Sequence, residues 1–126
     1  MSRFVLDNTV TMAWCFSDES TEFTKTLLNR LSNLTDRAVV PALWLYEVAN
    51  VVELAVRKLA DLPVEVENPD QRQVFVSVRT LASQYQLTAY DAAYLELAIR
   101  HKLPLASLDK ALSRAALAAG VNTVQV

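Results

Sequence analysis

The stretch Arg3-Phe-Val-Leu-Asp7 is a compact apolar run that ends on a carboxylate. Its residues do not alternate between apolar and polar, which is typical of a strand buried on both faces of a parallel sheet. A second run of this kind, Leu103-Pro-Leu-Ala-Ser107, lies near the end of the chain, and Asp109 follows it closely. Both runs predict buried strands with acidic side chains at or just beyond their carboxyl ends.

Between these two runs, short β-rich stretches alternate with stretches in which apolar residues recur three or four positions apart, the spacing of a helix. The predicted strands cover residues 3–7, 37–41, 62–66, 103–107 and 122–126, and the predicted helices cover residues 10–16, 21–34, 43–59, 71–85, 88–102 and 109–119. This order predicts an α/β fold, a three-layer sandwich whose central, mostly parallel sheet is flanked by helices. A site is expected beyond the carboxyl ends of the strands, near a switch point in strand order.

The composition limits the classes of function. A chain of 126 residues with 52% hydrophobic and 21% charged residues is expected to form a single domain over residues 1–126. The chain has one cysteine and one histidine, which excludes an internal disulfide framework and disfavours a zinc site or a histidine-centred triad. The net charge of −2 does not favour a partner bound by bulk positive charge. No secretory signal or membrane span is evident, so a cytoplasmic protein is expected.

Four acidic residues stand apart because each lies in apolar sequence or beside a predicted strand end. They are Asp7, Glu47, Asp91 and Asp109. Each aspartate taken alone could simply cap a helix. Glu47 is harder to explain, because it lies in an almost entirely apolar helix start, where a carboxylate needs a cleft, a cation or hydrogen-bond donors. The alternative for Glu47 is a buried pair with Asn50, three residues later, that fixes helix packing.

Taken together, the four carboxylates predict a metal site. Asp7 and Asp109 would open onto the same edge of a parallel sheet, and Asp91 and Glu47 lie early enough in their helices to approach it. Crowded carboxylates raise one another's pKa values unless a cation neutralises them. Oxygen ligands suit Mg²⁺ or Mn²⁺. Such an ion activates water and stabilises the transition state of phosphoryl transfer.

The sequence resembles the PIN-domain family, and within it the VapC-type ribonuclease toxins of toxin–antitoxin pairs. The matching stretches follow the family's order: Phe4-Val-Leu-Asp-Asn-Thr-Val-Thr-Met-Ala-Trp14, Val40-Pro-Ala-Leu-Trp-Leu-Tyr-Glu-Val-Ala-Asn50, Leu87-Thr-Ala-Tyr-Asp-Ala-Ala-Tyr-Leu-Glu-Leu-Ala98 and Leu103-Pro-Leu-Ala-Ser-Leu-Asp-Lys-Ala-Leu112. The chain departs from the pattern between residues 56 and 64, where the family usually has a further turn and helix, on the order of a dozen residues. The segment that this chain lacks would shape the substrate groove or the antitoxin contact, and its absence does not affect the four acids.

The resemblance implies a site and a reaction. Asp7, Glu47, Asp91 and Asp109 correspond to the acidic cluster that binds Mg²⁺ or Mn²⁺, and Thr9 takes the place of a small hydroxyl residue beside it. The implied reaction is metal-dependent hydrolysis of an RNA phosphodiester that leaves a 3′-hydroxyl and a 5′-phosphate. A homodimer and a cognate antitoxin are the implied protein partners. Lys110 and Asn50, next to these acids in sequence, are candidates for RNA contacts.

Two other functions are open to such a sequence. A catalytically silent PIN-like scaffold would bind RNA or a protein partner, although the complete set of four acids argues against it. A phosphatase with an Asp-x-Asp nucleophile motif is disfavoured because position 9 is threonine, and the single glycine excludes a Gly-rich phosphate loop.

Several residues are expected to lie outside the site. Glu96 is predicted to be solvated or peripheral to the acidic cluster. The aromatic residues Trp14, Trp44, Tyr90 and Tyr94 are predicted to pack in the core and not to stack on bases.

Overall fold

The protein is built around one four-stranded sheet. A computed structural model of the chain, which describes residues 2–50, 57 and 59–125, places the strands β1 (Ser2–Leu6), β2 (Asp36–Pro41), β3 (Val64–Glu67) and β4 (Leu105–Ala106) in the order β3-β2-β1-β4. Every pairing is parallel, with Val5 opposite Val39 on one side and opposite Leu105 on the other.

The strands are joined by helices. These are α1 (Asn8–Cys15), α2 (Glu22–Ser32), α3 (Leu43–Ala49), α4 (Arg79–Tyr85), α5 (Ala89–His101) and α6 (Lys110–Ala118), with a 3₁₀ turn at Ser17–Glu19 and a π-helical segment, Gln73–Val78, leading into α4. Helix α1 packs against α2 and α3, and α5 packs against α4 and α6. Right-handed crossovers between parallel strands place these two groups on opposite faces of the sheet. The predicted α/β sandwich is confirmed.

The core lies where the strands meet these helices. Val5, Leu6, Val39 and Leu105 have at most 1% of their surface exposed, so the central strands are buried on both faces, as their unbroken apolar sequence predicts. Burying one such side chain contributes about 1.5–3 kcal/mol to folding. Tyr94 of α5 is also buried in this core.

Two predicted elements differ from the structure. The strand predicted at residues 122–126 is wrong, because in the described part of the chain it is reduced to a single parallel bridge between Thr123 and Leu105. The reason is that β4 is only two residues long and offers no room for a longer ladder. The helix predicted at residues 43–59 begins as α3, but residues 51–56 and 58 lie outside the described residues, as does part of the segment that departs from the family pattern.

The strand order creates a switch point at the edge of β1. The chain runs outward from β1 to β2 and β3 and then crosses back to β4 on the other side of β1. The carboxyl ends of β1 and β4 therefore lie side by side with connections leaving in opposite directions, which is where parallel α/β sheets bind their ligands. Asp7 and Ser107 are the first residues after these two strands.

Among the residues that the structure describes, none of the helices has both the length and the apolar character that crossing a membrane requires.

Candidate active site

Asp7 is held between the ends of β1 and β4. Its backbone N–H donates to the carbonyl of Ala106 at 2.9 Å, which extends the ladder between the two strands. Two hydroxyl groups donate to the same carboxylate oxygen, Oδ2: Ser107 Oγ at 2.6 Å and Thr9 Oγ1 at 2.7 Å. The side chain is buried, and these donors compensate part of the cost of burying its charge.

The same two hydroxyl groups also hold the loop that carries Asp109. The backbone N–H of Leu108 donates to Thr9 Oγ1 at 2.8 Å, and that of Asp109 donates to Ser107 Oγ at 3.0 Å. Each hydroxyl is thus a donor to Asp7 and an acceptor from the loop. The position of Asp109 relative to Asp7 is therefore set by a short hydrogen-bonded network.

Asp109 and Asp91 both lie at helix starts. Asp109 caps α6, since its Oδ1 accepts from the backbone N–H of Leu112 at 3.0 Å. Asp91 lies in the first turn of α5, where Thr88 is the cap and accepts from the backbone N–H of Asp91 at 3.1 Å. The capping alternative therefore holds for Asp109, whereas the side chain of Asp7 makes no capping hydrogen bond to α1.

Glu47 is held by a residue of another helix. It lies half-buried in α3, and Tyr94 of α5 donates its hydroxyl hydrogen to Glu47 Oε1. Asn50, at the end of α3, is exposed, so the alternative of a buried pair between Glu47 and Asn50 is wrong.

The pKa directions connect the four carboxylates electrostatically. Burial raises the pKa of Asp7, although hydrogen bonds from Ser107 and Thr9 oppose this effect. Burial also raises the pKa of Glu47, and the negative charges of Asp7 and Asp91 raise it further. The pKa of Asp91 is raised by burial and then by the charges of Asp109 and Asp7. In the described part of the chain, none of the four forms an ion pair with lysine or arginine.

This donor set suits a hard divalent cation. All four candidate ligands are carboxylates, and a cation would relieve the repulsion from neighbouring acids that raises the pKa values of Glu47 and Asp91. Over the described ranges, no three histidine, cysteine, aspartate or glutamate side chains converge closely enough to form a ready cage. Mg²⁺ does not need one, because it usually keeps several waters and binds to one or two carboxylates.

Lys110 and Asn50 are placed beside the carboxylates in sequence and are exposed. Lys110 is the first residue of α6, directly after Asp109, and Asn50 follows α3, three residues after Glu47. Within the part of the chain that the structure describes, neither side chain forms a hydrogen bond or an ion pair. Both are therefore free to contact a ligand.

Two site residues were missed by the sequence reasoning. Ser107 lies just after β4 and two positions before Asp109, and Thr9 lies just after β1 and two positions after Asp7. A hydroxyl residue two positions from a candidate acid was therefore the signal available in the sequence. Tyr94 was predicted only to pack; its ring does so, but the sequence carries no sign that its hydroxyl reaches Glu47.

Two predictions about neighbouring residues are corrected. Tyr90 is 68% exposed and does not belong to the core. Glu96 is not solvated, because it is 8% exposed and pairs with Arg100 at 2.8 Å, one turn along α5. The same guanidinium also pairs with Glu67 at the end of β3.

Fold and site together define an α/β protein with an acidic cluster at the switch point of a parallel sheet. The family model for the PIN domain matches residues 4–117, and the chain belongs to that family. PIN domains are generally nucleases, which supports a hydrolase that acts on nucleic acid.

Two solved structures share the fold. The chain is 18% identical to PAE2754 from Pyrobaculum aerophilum, with a TM-score of 0.62 over 90% of this chain and 84% of that one. It is 16% identical to a chain of FitAcB from Neisseria gonorrhoeae, with a TM-score of 0.62 over 97% of this chain and 96% of that one. At these levels of sequence identity, the two likenesses show a shared fold. A comparison with curated proteins finds no match.

Proposed function

We propose that this protein is a metal-dependent endoribonuclease and the toxin component of a toxin–antitoxin pair. The observation that carries the proposal is a set of four carboxylates on different elements: Asp7 and Asp109 beyond the carboxyl ends of β1 and β4, with Glu47 on α3 and Asp91 in the first turn of α5. Their charges act on one another, because those of Asp7 and Asp91 raise the pKa of Glu47 and that of Asp109 raises the pKa of Asp91. Membership of the PIN family supports a nuclease. Burying carboxylates together without a cation is unfavourable, so their arrangement suits the binding of Mg²⁺ or Mn²⁺.

The acidic residues and Thr9 would have different roles in the reaction. Asp7, Glu47, Asp91 and Asp109 would form the acidic site that holds the cation, directly or through the waters that Mg²⁺ keeps. When bound, the cation would supply an activated water and charge stabilisation for phosphodiester hydrolysis. Thr9 keeps Asp7 in place through its hydrogen bond to Oδ2. Thr9 is also a candidate for a contact to the scissile phosphate, because its hydroxyl lies beside the carboxylate.

RNA would be held by groups around the acids. Lys110 is a candidate for a phosphate contact. Its positive charge lies at the N-terminal end of α6, where the helix dipole is also positive, and both attract a phosphate. Asn50 is a candidate for a hydrogen bond to a base or a sugar. The net charge of −2 means that such local contacts, and not bulk attraction, would bind the substrate.

The proposal includes protein partners and a compartment. A cognate antitoxin would cover the site, and a basic side chain placed among the acids would be enough to inhibit it. Leu45 and Tyr46 of α3 are exposed apolar residues and suit an interface, either with the antitoxin or in a homodimer. The expected location is the cytoplasm, where the RNA is found.

The decisive experiment compares RNA cleavage by the wild-type protein and by Asp7→Asn. Wild-type protein purified free of antitoxin should cut structured RNA with Mg²⁺ or Mn²⁺ and should stop when a chelator is added. The Asp7→Asn variant should lose at least about a hundredfold in rate, a loss typical of removing a key electrostatic group. Its fold should survive, because the asparagine oxygen can still accept from Ser107 and Thr9.

Asp61→Asn is the matched control, since Asp61 is an exposed aspartate in a turn. It should cleave at the wild-type rate. A folded wild-type protein that neither binds Mn²⁺ nor cuts RNA would replace the proposal with a catalytically silent scaffold that binds RNA or a protein partner.

A further inference from the structure

Tyr94 carries a polar group into the core. The residue is 1% exposed and belongs to the main cluster of buried residues of the domain. A buried phenol hydroxyl is costly unless it finds a hydrogen-bond partner, and a phenylalanine would fill the same space without that cost. In the described part of the chain, the partner is Glu47 Oε1.

This hydrogen bond joins two helices that are far apart in sequence. Glu47 lies in α3, a helix of only seven residues that directly follows β2. Tyr94 lies in α5, which packs against both β1 and β2, and it follows Asp91 by three positions on the same helix. The bond therefore fixes a carboxylate on a short helix relative to a longer and better anchored one that already carries Asp91.

The hydrogen bond engages one oxygen of Glu47 and leaves the other available. Oε1 accepts from Tyr94, and over the described residues Oε2 accepts no hydrogen bond. A carboxylate held by one oxygen has restricted rotation, so its second oxygen is directed before a ligand arrives. Groups that orient a metal ligand in this way contribute to metal affinity without touching the metal.

We propose that Tyr94 is a positioning residue that orients the Glu47 carboxylate for a divalent cation. The inference rests on the proposed function, because it concerns one of the acids of that site. The ring of Tyr94 packs and its hydroxyl positions Glu47, and these two roles can be separated by Tyr94→Phe, which removes only the hydroxyl.

The experiment measures Mn²⁺ binding to the purified protein by electron paramagnetic resonance. Tyr94→Phe should raise the Kd for Mn²⁺ about tenfold, the lower end of the range for losing a group that orients a metal ligand. Tyr85→Phe is the matched control and should bind Mn²⁺ like the wild type. Within the described ranges of the chain, the one hydrogen bond of the Tyr85 hydroxyl is accepted from the exposed Gln84 at 3.5 Å. In a Glu47→Gln background, Tyr94→Phe should cause no further loss.

RNA cleavage gives a second readout. Tyr94→Phe should cleave more slowly at limiting Mn²⁺ and should recover at saturating Mn²⁺, whereas a general structural defect would not be rescued by metal. A third readout needs no variant at position 94: the Tyr94 hydroxyl proton should give a slowly exchanging NMR signal in the wild type. That signal should shift in Glu47→Gln and on addition of Mg²⁺.

The possible results separate the two proposals. Wild-type protein that binds Mn²⁺, with Tyr94→Phe binding it equally well, overturns the role of Tyr94 and leaves the proposed function intact. A hydroxyl signal that does not move at saturating Mg²⁺ also overturns that role, even if Tyr94→Phe fails to fold. Wild-type protein that does not bind Mn²⁺ overturns the proposed function and this inference with it.

Discussion

At the scale of single residues, Asp7 shows how the site is held together. Its carboxylate is buried, and burial raises its pKa, so an ionised Asp7 costs folding free energy. Ser107 and Thr9 lower that cost through two hydrogen bonds to the same oxygen. The two hydroxyl groups also accept from the loop before α6, which links the acid of β1 to the acid that caps α6.

Ser107→Ala tests this linkage. The variant removes a donor to Asp7 and an acceptor for the Asp109 N–H, so the free energy of unfolding should fall by about 1–3 kcal/mol. The pKa of Asp7 should rise further, because the hydrogen bond from Ser107 lowers it. Mn²⁺ binding should then weaken most at low pH, where protons compete with the metal.

Urea unfolding and Mn²⁺ titrations at several pH values would measure both effects. Ser83→Ala is the control, since Ser83 is exposed on α4 and its substitution should change neither quantity appreciably. Unchanged stability together with unchanged metal affinity in Ser107→Ala would refute the linkage.

At the scale of the elements, helix starts place two of the four acids. Thr88 caps α5, because its hydroxyl oxygen accepts from the Asp91 N–H, and Asp109 caps α6 with its own carboxylate. A cap stabilises its helix and also fixes the direction of the first turn. In this protein the first turn of α5 carries Asp91, so capping and the geometry of the site are coupled.

Thr88→Ala should therefore affect both stability and metal binding. The free energy of unfolding should fall by about 1 kcal/mol, the usual cost of losing a cap. Mn²⁺ affinity should fall severalfold, because Asp91 lies in the turn that loses its anchor. Thr88→Ser should restore both properties, since the serine hydroxyl can accept the same hydrogen bond.

Thr21→Ala is the matched control at another helix. Thr21 caps α2 by accepting from the Thr24 N–H at 3.2 Å, and α2 carries none of the four acids. This variant should lose similar stability and keep wild-type Mn²⁺ affinity. If both cap variants bind Mn²⁺ equally well, the cap of α5 has no part in arranging the site.

At the scale of the whole molecule, the strand order brings together acids that are far apart in sequence. Because β4 returns to the side of β1 opposite β2, residues at positions 7 and 109 come to adjacent strand ends. The result is a cluster of carboxylates in which the charges of neighbouring acids raise the pKa values of Glu47 and Asp91. The fold thereby gives up some stability at neutral pH, which a bound cation would restore.

The pH dependence of the metal-free protein should show this cost. The pKa of Asp7 in the folded state is raised above its ordinary value of 3.8. At pH values between the unfolded-state pKa and the folded-state pKa, the folded state therefore binds more protons than the unfolded state. The contribution of Asp7 to stability therefore falls as pH rises through that window, and the full penalty remains above it. Glu47 and Asp91 act with the same sign.

Melting temperatures of wild type and Asp7→Asn, measured without metal from about pH 4, close to the ordinary pKa of an aspartate, up to about pH 8, test the sign. Subtracting the melting temperature of the wild type from that of the variant at each pH removes the pH dependence that both proteins share. One such shared effect is that of Glu65, whose pKa is lowered. Asp7→Asn should gain several degrees on the wild type as pH rises, since about 1 kcal/mol corresponds to about 4 °C in a domain of this size. A gap that stays constant with pH would contradict the effect.

The sequence by itself determined most of the strands and helices that the structure describes, because hydrophobic periodicity and helix ends are local properties. The unbroken apolar runs predicted β1 and β4, and Gly120, with its left-handed backbone at φ 83°, follows the end of α6. The four candidate acids could also be selected, because a carboxylate beside a buried strand end or in an apolar helix start is unusual wherever the chain later goes.

Only the tertiary structure decided what those acids touch. The strand order, the shortness of β4, the hydroxyl of Ser107 on Asp7 and that of Tyr94 on Glu47 all depend on contacts between residues far apart in sequence. The sequence does not show whether the hydroxyl of a serine or a tyrosine faces water or a carboxylate. Packing alone makes that distinction, because it decides which buried polar groups must become partners.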